Sequence, residues 1–370
     1  MPNHIRPNVQ RMTPYPPGKP IEEVQRELGL SDVLKLASNE NPLGPSPMAV
    51  EAMRQALEKS SYYPDARGFD LKQKLSSFLS VPLDNIMLGC GSDEIIGVLG
   101  SMFLEPGLNA VTSDPCFMRY EAAASLTGSE LRKAPMTQDY DYDVDGMLSL
   151  IDDKSRLVFL ASPNNPTGTI LKSSQLREMV DKLPEHVVLV LDEAYVEFAE
   201  FLDRGKGEFE SGLSLAGRDN VVCLRTFSKA YGLAGCRVGY GIASQVLVRA
   251  YNAARPPFDI NTLAQVAAFA ALSDAGHLAR TLACNRAGLD QVISGAAKLG
   301  LPTVRSWANF VCIEVGDSAK VARDLLLQGV IVRPGDQLGM PKHIRVSIGT
   351  EQQNARFLAS LESVSLARTA

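Results

Sequence analysis

The sequence predicts an α/β protein: a doubly wound, mostly parallel sheet sandwiched by helices, with a second, smaller α+β domain. Several short runs are almost continuously apolar, as in LVFLA and VVLVL, which is typical of parallel strands buried on both faces. These runs alternate with segments of helical periodicity, the order expected of a doubly wound sheet. After about residue 261 long helical runs and a few short strands dominate, and they predict the second domain.

The elements follow in order along the chain. IEEVQRELGL predicts a helix after a proline-containing N-terminal segment, and two more helices flank the turn SYYPDARGFD. Strands of the large sheet are predicted at NIML, LNAVTS, RLVFLA, VVLVL and VVCLR. Helices are predicted at SDEIIGVLGSMFL, SSQLREMVDKL and TLACNRAGLDQVISGAAKLG, and later strands at NFVCIEV and HIRVSI. We predict an N-terminal arm with part of the small domain at 1–45, a large domain at 46–265 and a small domain at 266–370.

Composition excludes several classes of protein. The chain has 370 residues and a net charge of −5, so no general attraction to nucleic acid or anionic lipid is expected. No stretch approaches the apolar length of a membrane span, and the N-terminus lacks an apolar signal segment, so a cytoplasmic location is expected. The histidines and cysteines show no metal-ligand spacing, and no metal is predicted.

Ligands of parallel α/β sheets bind beyond the carboxyl ends of the strands, so the residues after each strand are the candidates. GCGSDE follows the first large-sheet strand, and Ser92 begins a helix whose free N–H groups suit a phosphate. A purely structural tight turn is equally compatible with these glycines. The motif is not a full GxGxxG, which argues against a dinucleotide.

Polar residues follow the next strands. SPNNPTG places Asn165 where its amide can meet a ligand oxygen, although the same residues suit an ordinary turn. DEAY places Asp192 at the end of a buried strand, where a carboxylate needs a partner. Asp192 is either a helix N-cap or the counter-charge of a cationic ligand group, and Tyr195 offers a phenol to the same ligand.

The stretch TFSKAYGLAGCRVGY places Lys229 among small and hydroxyl residues. A partly buried lysine loses its charge readily and becomes a nucleophile. Thr226, Ser228 and Arg237 supply two hydroxyls and a guanidinium for a phosphate. When Lys229 is considered without its neighbours, the alternative interpretation is an ordinary solvated lysine on the protein surface.

These groups together fit a single ligand. It has a phosphate, an aromatic nitrogen that pairs with a carboxylate, a phenolic oxygen and an aldehyde that reacts with a lysine. Pyridoxal 5′-phosphate has all four features, and the sequence therefore predicts a pyridoxal-phosphate enzyme.

The chain resembles the fold-type I pyridoxal-phosphate aminotransferases from about Thr13 to Leu361, and within them the histidinol-phosphate aminotransferases. The stretches that carry this resemblance are LASNENPLGPSP, YYPDARGFDLKQKL, GCGSDE, DPCFMRY, SPNNPTG, LDEAYVEF, RTFSKAYGLAGCRVGY, PPFDINTLAQ, GVIVRP and HIRVSIGT. The resemblance implies a large domain with a mixed, mostly parallel seven-stranded sheet and a smaller α+β domain.

The resemblance also implies roles for individual residues. Lys229 attaches the cofactor, Asp192 pairs with its pyridine nitrogen, Asn165 and Tyr195 bond its ring hydroxyl, and Phe117 stacks on the ring. The cofactor phosphate is held at Gly91, Ser92, Asp93, Thr226, Ser228 and Arg237.

Other roles implied by the resemblance concern the substrate and a second subunit. Tyr63 is expected to reach the cofactor phosphate of a partner subunit, which implies a homodimer. Substrate binding is expected at Tyr15, Asn41, Arg333 and Arg345. Cys90 and Asp259 depart from the family pattern; Cys90 should matter little, and Asp259 has no role in this scheme.

The expected reaction is amino transfer from histidinol phosphate to 2-oxoglutarate, with Lys229, Asp192 and Tyr195 as catalytic residues. An aromatic amino-acid aminotransferase and a threonine-phosphate decarboxylase are the alternatives within the fold. A transcription regulator with an aminotransferase-like domain would need a DNA-binding domain before residue 35, and the residues there are proline-rich and not basic.

Overall fold

The apolar runs form the centre of a large sheet in the computed structural model, which describes residues 4–14 and 18–369. Tyr15 therefore lies outside the described residues. The strands of this sheet are β2 (Ile86–Gly89), β3 (Asn109–Asp114), β4 (Glu130–Pro135), β5 (Ser155–Ala161), β6 (Val188–Asp192), β7 (Val221–Thr226) and β8 (Gly239–Ile242). Their order is β2-β8-β7-β6-β5-β3-β4, and only β8 runs antiparallel to its neighbours. This confirms the predicted mixed, mostly parallel seven-stranded sheet.

Both faces of the sheet are covered because its side chains alternate between two cores. Leu157 and Phe159 of β5 pack in one hydrophobic cluster, whereas Val158 and Leu160 pack in another, as the two-residue period of a strand requires. The helices around this sheet are α3 (Pro47–Ala56), α4 (Phe69–Leu79), α5 (Ser92–Phe103), α6 (Met118–Thr127), α7 (Val144–Ser149), α8 (Ser173–Lys182), α9 (Val196–Asp203), α10 (Gln245–Ala254) and α11 (Thr262–Ala271).

A second layer combines a short strand at residues 34–35 with the C-terminal part of the chain. Its strands are β1 (Leu34–Lys35), β9 (Phe310–Glu314), β10 (Val330–Ile331), β11 (Arg333–Pro334) and β12 (His343–Ser347). The three-stranded antiparallel sheet has the order β11-β12-β9, and the short strand β1 pairs in parallel with β10. The remaining helices are α1 (Pro7–Gln10), α2 (Ile21–Leu28), α12 (Ala275–Lys298), α13 (Ser318–Leu327) and α14 (Glu351–Thr369). The domain limits at 45 and 265 stay a prediction.

The strand directions place the candidate loops together. Ala161 is paired with Asp192, and Asp192 with Leu224, so β5, β6 and β7 end side by side. Phe310 of the second layer contacts the Tyr195 ring edge-on at 5.3 Å. The second layer therefore closes over the carboxyl edge of the large sheet. Among the described residues, no helix is both long and apolar enough to span a membrane.

Candidate active site

A cavity of about 730 Å³ lies at the carboxyl edge of the large sheet. Every predicted cofactor-binding residue except Tyr63 lines it. These residues are Gly91, Ser92, Asp93, Phe117, Asn165, Asp192, Tyr195, Thr226, Ser228, Lys229 and Arg237. The fold thus brings together residues that are up to about 150 positions apart, because each follows a neighbouring strand.

Lys229 follows β7 and reaches into this cavity. Its amine donates to the carbonyl oxygen of Ser38 at 3.2 Å and lies 5.7 Å from the centre of the Tyr195 ring. Burial, and secondly the Arg345 guanidinium, lower the pKa of Lys229 to about 8. A substantial fraction of this amine is therefore neutral and nucleophilic near neutral pH.

We expect the Lys229 amine of the cofactor-free protein to become reactive as the pH rises through about 8, since burial disfavours its charged form. The measurement is competitive labelling with acetic anhydride from pH 6 to 11, read by peptide mass spectrometry. Arg345→Gln removes a neighbouring cation and should move the midpoint upward. A wild-type midpoint near the ordinary lysine value of about 10.4 would contradict the assignment.

Asp192 ends β6 and is buried beside the cavity. The Tyr120 hydroxyl donates to its Oδ2 at 3.1 Å, and the Ala194 N–H donates to its Oδ1 at 3.1 Å. Burial raises the pKa of Asp192 to about 6, against the opposing effect of these two hydrogen bonds. Asp192 does not cap α9, whose N-cap residue is Tyr195, so the alternative N-cap interpretation is wrong.

The turn before α5 forms a cup suited to an anion. Gly91 has φ +79°, and a Cβ there would lie 2.7 Å from Nη2 of Arg237, so a larger residue would crowd the guanidinium. No side chain caps the N-terminus of α5, which leaves its first N–H groups and its dipole directed at the cavity. We name Gly91, Ser92, Asp93, Thr226, Ser228 and Arg237 the anion cup.

Side chains of the anion cup contact one another. The Thr226 hydroxyl donates to Oγ of Ser228 at 3.0 Å, and Nη1 of Arg237 lies 3.4 Å from the same oxygen. Two hydroxyls and a guanidinium thus converge opposite the α5 N-terminus. Such a donor set matches the oxygens of a phosphate group.

Two asparagines hold the Tyr195 phenol in place. Nδ2 of Asn39 donates to its oxygen at 3.0 Å, and Nδ2 of Asn165 lies 3.4 Å from it. Nη1 of Arg345 donates to Oδ1 of Asn165 at 2.5 Å. Sequence reasoning missed Asn39 and Tyr120, although both lie within quoted motifs: Asn39 in LASNENPLGPSP and Tyr120 in DPCFMRY.

A second cavity of about 190 Å³ adjoins the first and shares Phe117, Asn165 and Lys229 with it. Arg333 and Arg345 both line it, and they are register partners on β11 and β12. Both arginines are buried. The arrangement places two guanidinium groups beside the Lys229 amine and can bind an anionic substrate.

Two predicted residues lie elsewhere. Nδ2 of Asn41 donates to the Ala230 carbonyl at 3.0 Å and to Oγ1 of Thr281 at 3.1 Å, and Asn41 lines neither cavity. These bonds hold Asn41 against α12 and the segment after Lys229, and its predicted substrate contact stays a prediction. Tyr63 is 83% exposed and stacks on Phe258 with ring centres 4.7 Å apart; its predicted contact with a partner subunit stays a prediction.

A buried ion pair braces the strands that carry the site. Glu193 follows Asp192 directly, and its Oε2 lies 3.0 Å from Nη2 of Arg225, which precedes Thr226. The Gly212 N–H also donates to Glu193 at 2.6 Å. The pair connects the ends of β6 and β7, which position Asp192 and Lys229.

Residues 31–361 match the family model described as aminotransferase class I and II. Histidinol-phosphate aminotransferase 2 of Pseudomonas fluorescens (strain Pf0-1) is 45% identical over 97% of this chain and 96% of its own length. Histidinol-phosphate aminotransferase of Moorella thermoacetica is 45% identical over 97% of this chain and 92% of its own length. The structure of histidinol-phosphate aminotransferase from Sinorhizobium meliloti with pyridoxal 5′-phosphate covers 99% of this chain, and this chain covers 98% of it, at 30% identity and a TM-score of 0.89.

Proposed function

Because this chain belongs to the class I and II aminotransferase family, we propose that it transfers an amino group from histidinol phosphate to 2-oxoglutarate with pyridoxal 5′-phosphate as cofactor. The observation that supports this best is the meeting of Lys229, Asp192 and the anion cup in one cavity. The relatives named histidinol-phosphate aminotransferase support the choice of substrate.

The residues present fit the cofactor. The anion cup would hold the phosphate of the cofactor, and Asp192 would pair with its pyridine nitrogen. Asn165 and Tyr195 would bond its ring oxygen, and Phe117 would stack on one face of its ring. When bound, pyridoxal phosphate would supply an electron sink for the negative charge that develops at the substrate α-carbon. The buried Asp192 carboxylate would keep the pyridine nitrogen protonated, which that chemistry requires.

Lys229 has two tasks in this proposal. Its neutral amine would hold the cofactor by covalent attachment at the aldehyde carbon. Its Nζ then takes up the proton that leaves the substrate α-carbon, as a general base. A pKa of about 8 suits both tasks, because the amine is readily deprotonated and remains basic enough to accept a proton.

Arg333 and Arg345 would serve both substrates. Histidinol phosphate ends in a phosphate, whereas 2-oxoglutarate carries two carboxylates. A guanidinium binds either kind of anion through its planar pair of N–H groups. Two buried arginines beside Lys229 therefore allow one cavity to accept both molecules in turn.

A half-reaction tests the choice of amino donor. The cofactor-loaded protein is mixed separately with histidinol phosphate, phenylalanine, threonine phosphate or glutamate, and no keto acid is added. The readout is the loss of the cofactor's visible absorption. We expect histidinol phosphate to react much faster per unit concentration than phenylalanine. A faster reaction with phenylalanine or tyrosine would favour the aromatic alternative, and release of carbon dioxide from threonine phosphate would favour the decarboxylase.

We also propose that two copies of the chain form a homodimer. Large apolar side chains are exposed on α3, α4, α11 and the segments beside them, and these helices pack against one another. The exposed residues are Leu43, Met48, Leu57, Tyr62, Tyr63, Phe69, Phe258 and Phe269. An exposed apolar surface of this kind is typical of a protein interface, and a second copy would cover it.

Mixing two inactive variants tests whether Tyr63 acts in the partner's site. Tyr63→Ala and Lys229→Ala homodimers are unfolded together and refolded, so that mixed dimers form. We expect activity above that of either variant, because one site of each mixed dimer then combines an intact Lys229 with an intact Tyr63. Activity no higher than the Tyr63→Ala level would place Tyr63 in its own subunit's site or outside the reaction.

A further inference from the structure

Asp259 lies in a buried ion pair below the anion cup. It belongs to the segment 255–261 between α10 and α11, and its Oδ1 pairs with Nη1 of Arg255. The two side chains are only 3% and 9% exposed. Nη2 of Arg255 donates to the carbonyl oxygen of Ala66, in the loop that carries Tyr63.

Asp259 also contacts a second carboxyl group. The Glu94 carboxyl is within hydrogen-bonding contact of Asp259, and Oδ2 of Asp259 is buried and receives no donor from the described N–H and O–H groups. Burial, and secondly the negative charge of Asp259, raise the pKa of Glu94, because two carboxylates in contact repel each other.

Glu94 and Arg255 connect this pair to two parts of the site. Oε2 of Glu94 accepts the Cys90 N–H at 2.7 Å, which fixes the turn that begins the anion cup. Two further contacts reach the Tyr63 loop: Nε2 of Gln265 donates to the Asp65 carbonyl at 2.9 Å, and Phe258 stacks on Tyr63. The segment around Asp259 thus joins the anion cup to the Tyr63 loop.

We propose that Asp259 is a positioning residue that, through Glu94 and Arg255, holds the anion cup and the Tyr63 loop together and thereby sets the affinity for the cofactor phosphate. The inference rests on the proposed function, because it concerns the same cofactor. Asp259 itself touches neither cavity.

Two conservative variants keep the contact between the two side chains. Asp259→Asn keeps the shape, and its amide can donate to Glu94. In Glu94→Gln the side-chain oxygen can still accept from the Cys90 N–H, and the amide can donate to Asp259. Asp259→Ala removes the connection altogether, and Asn252→Ala, which removes only the 3.2 Å contact of Oδ1 with Nε of Arg255, is the matched control.

The measurement is the dissociation constant of pyridoxamine 5′-phosphate at pH 7 by titration calorimetry. We expect Asp259→Ala to weaken binding by at least about tenfold, and Asn252→Ala to bind like the wild type. Asp259→Asn and Glu94→Gln should also bind like the wild type, because both keep the contact between the two side chains. Circular dichroism of each variant verifies folding.

The possible results are distinct. Wild-type binding in Asp259→Ala, or binding in both conservative variants as weak as in Asp259→Ala, would overturn the inference while leaving the proposed function intact. Failure of the wild type to bind pyridoxamine phosphate would overturn the proposed function and the inference with it.

Discussion

Replacing Lys229 with alanine is expected to abolish turnover, with a loss of about 10⁴-fold or more, because one side chain supplies both the covalent attachment and the general base. The anion cup does not include Lys229, so the variant should still bind the cofactor. Amino transfer from histidinol phosphate, measured in single turnover with cofactor bound, is the assay.

Lys229→Arg is the matched control for this variant. Arginine keeps the positive charge but stays protonated at any accessible pH, so it can act neither as nucleophile nor as base. We expect it to be as inactive as the alanine variant. A small primary amine such as methylamine should partly restore Lys229→Ala and not Lys229→Arg. A rate within about tenfold of wild type in Lys229→Ala would refute the assignment of Lys229.

Asp192→Asn is expected to retain the cofactor but slow amino transfer by about 10²–10³-fold, the typical effect of removing one preorganised electrostatic group. The amide oxygen can still accept from the Ala194 N–H, and the amide NH2 group can donate to the Tyr120 hydroxyl oxygen, so the local structure should persist. It carries no charge to keep a pyridine nitrogen protonated. Pre-steady-state rates at saturating substrate, together with the cofactor dissociation constant, separate slowed chemistry from lost binding.

Tyr120→Phe is the control for Asp192→Asn, because it removes only the 3.1 Å hydrogen bond to the carboxylate. We expect a decrease in rate of less than about tenfold, which corresponds to a typical net hydrogen-bond contribution of about 1 kcal/mol. A near-normal rate in Asp192→Asn would show that the carboxylate charge is not needed.

Asp192→Asn should also stabilise the cofactor-free protein. The pKa of Asp192 is raised to about 6 in the folded state, so the folded state binds more protons than the unfolded state between about pH 4 and 6. Stability therefore falls as the pH rises through this range and stays lowered above it. Asp192→Asn removes this loss in the free energy of unfolding, which amounts to up to about 3 kcal/mol. The urea concentration at the midpoint of unfolding should therefore be higher than for the wild type at pH 7. An unchanged or lower midpoint would contradict the raised pKa.

Much of the fold was predictable because it depends on short-range patterns. Continuous apolar runs identified β5, β6 and β7, since strands buried on both faces require them. Strands β4 and β8 were not identified from this pattern, because ELRKAP lies partly exposed at the sheet edge and GYGI contains two glycines. The seven-stranded sheet itself came from the family resemblance.

The sequence by itself predicted which groups meet in the cavity, because Asp192 and Thr226 end strands, Ser92 begins a helix and Lys229 lies shortly after β7. The carboxyl ends of parallel strands meet at one edge of the sheet. Only the tertiary structure decided which more distant groups complete the site. Asn39 reaches Tyr195 from the second layer, Asn41 donates to Ala230 and Thr281, and Glu94 contacts Asp259. These contacts join residues separated by more than 150 positions, and they depend on how whole layers pack, which no local sequence pattern specifies.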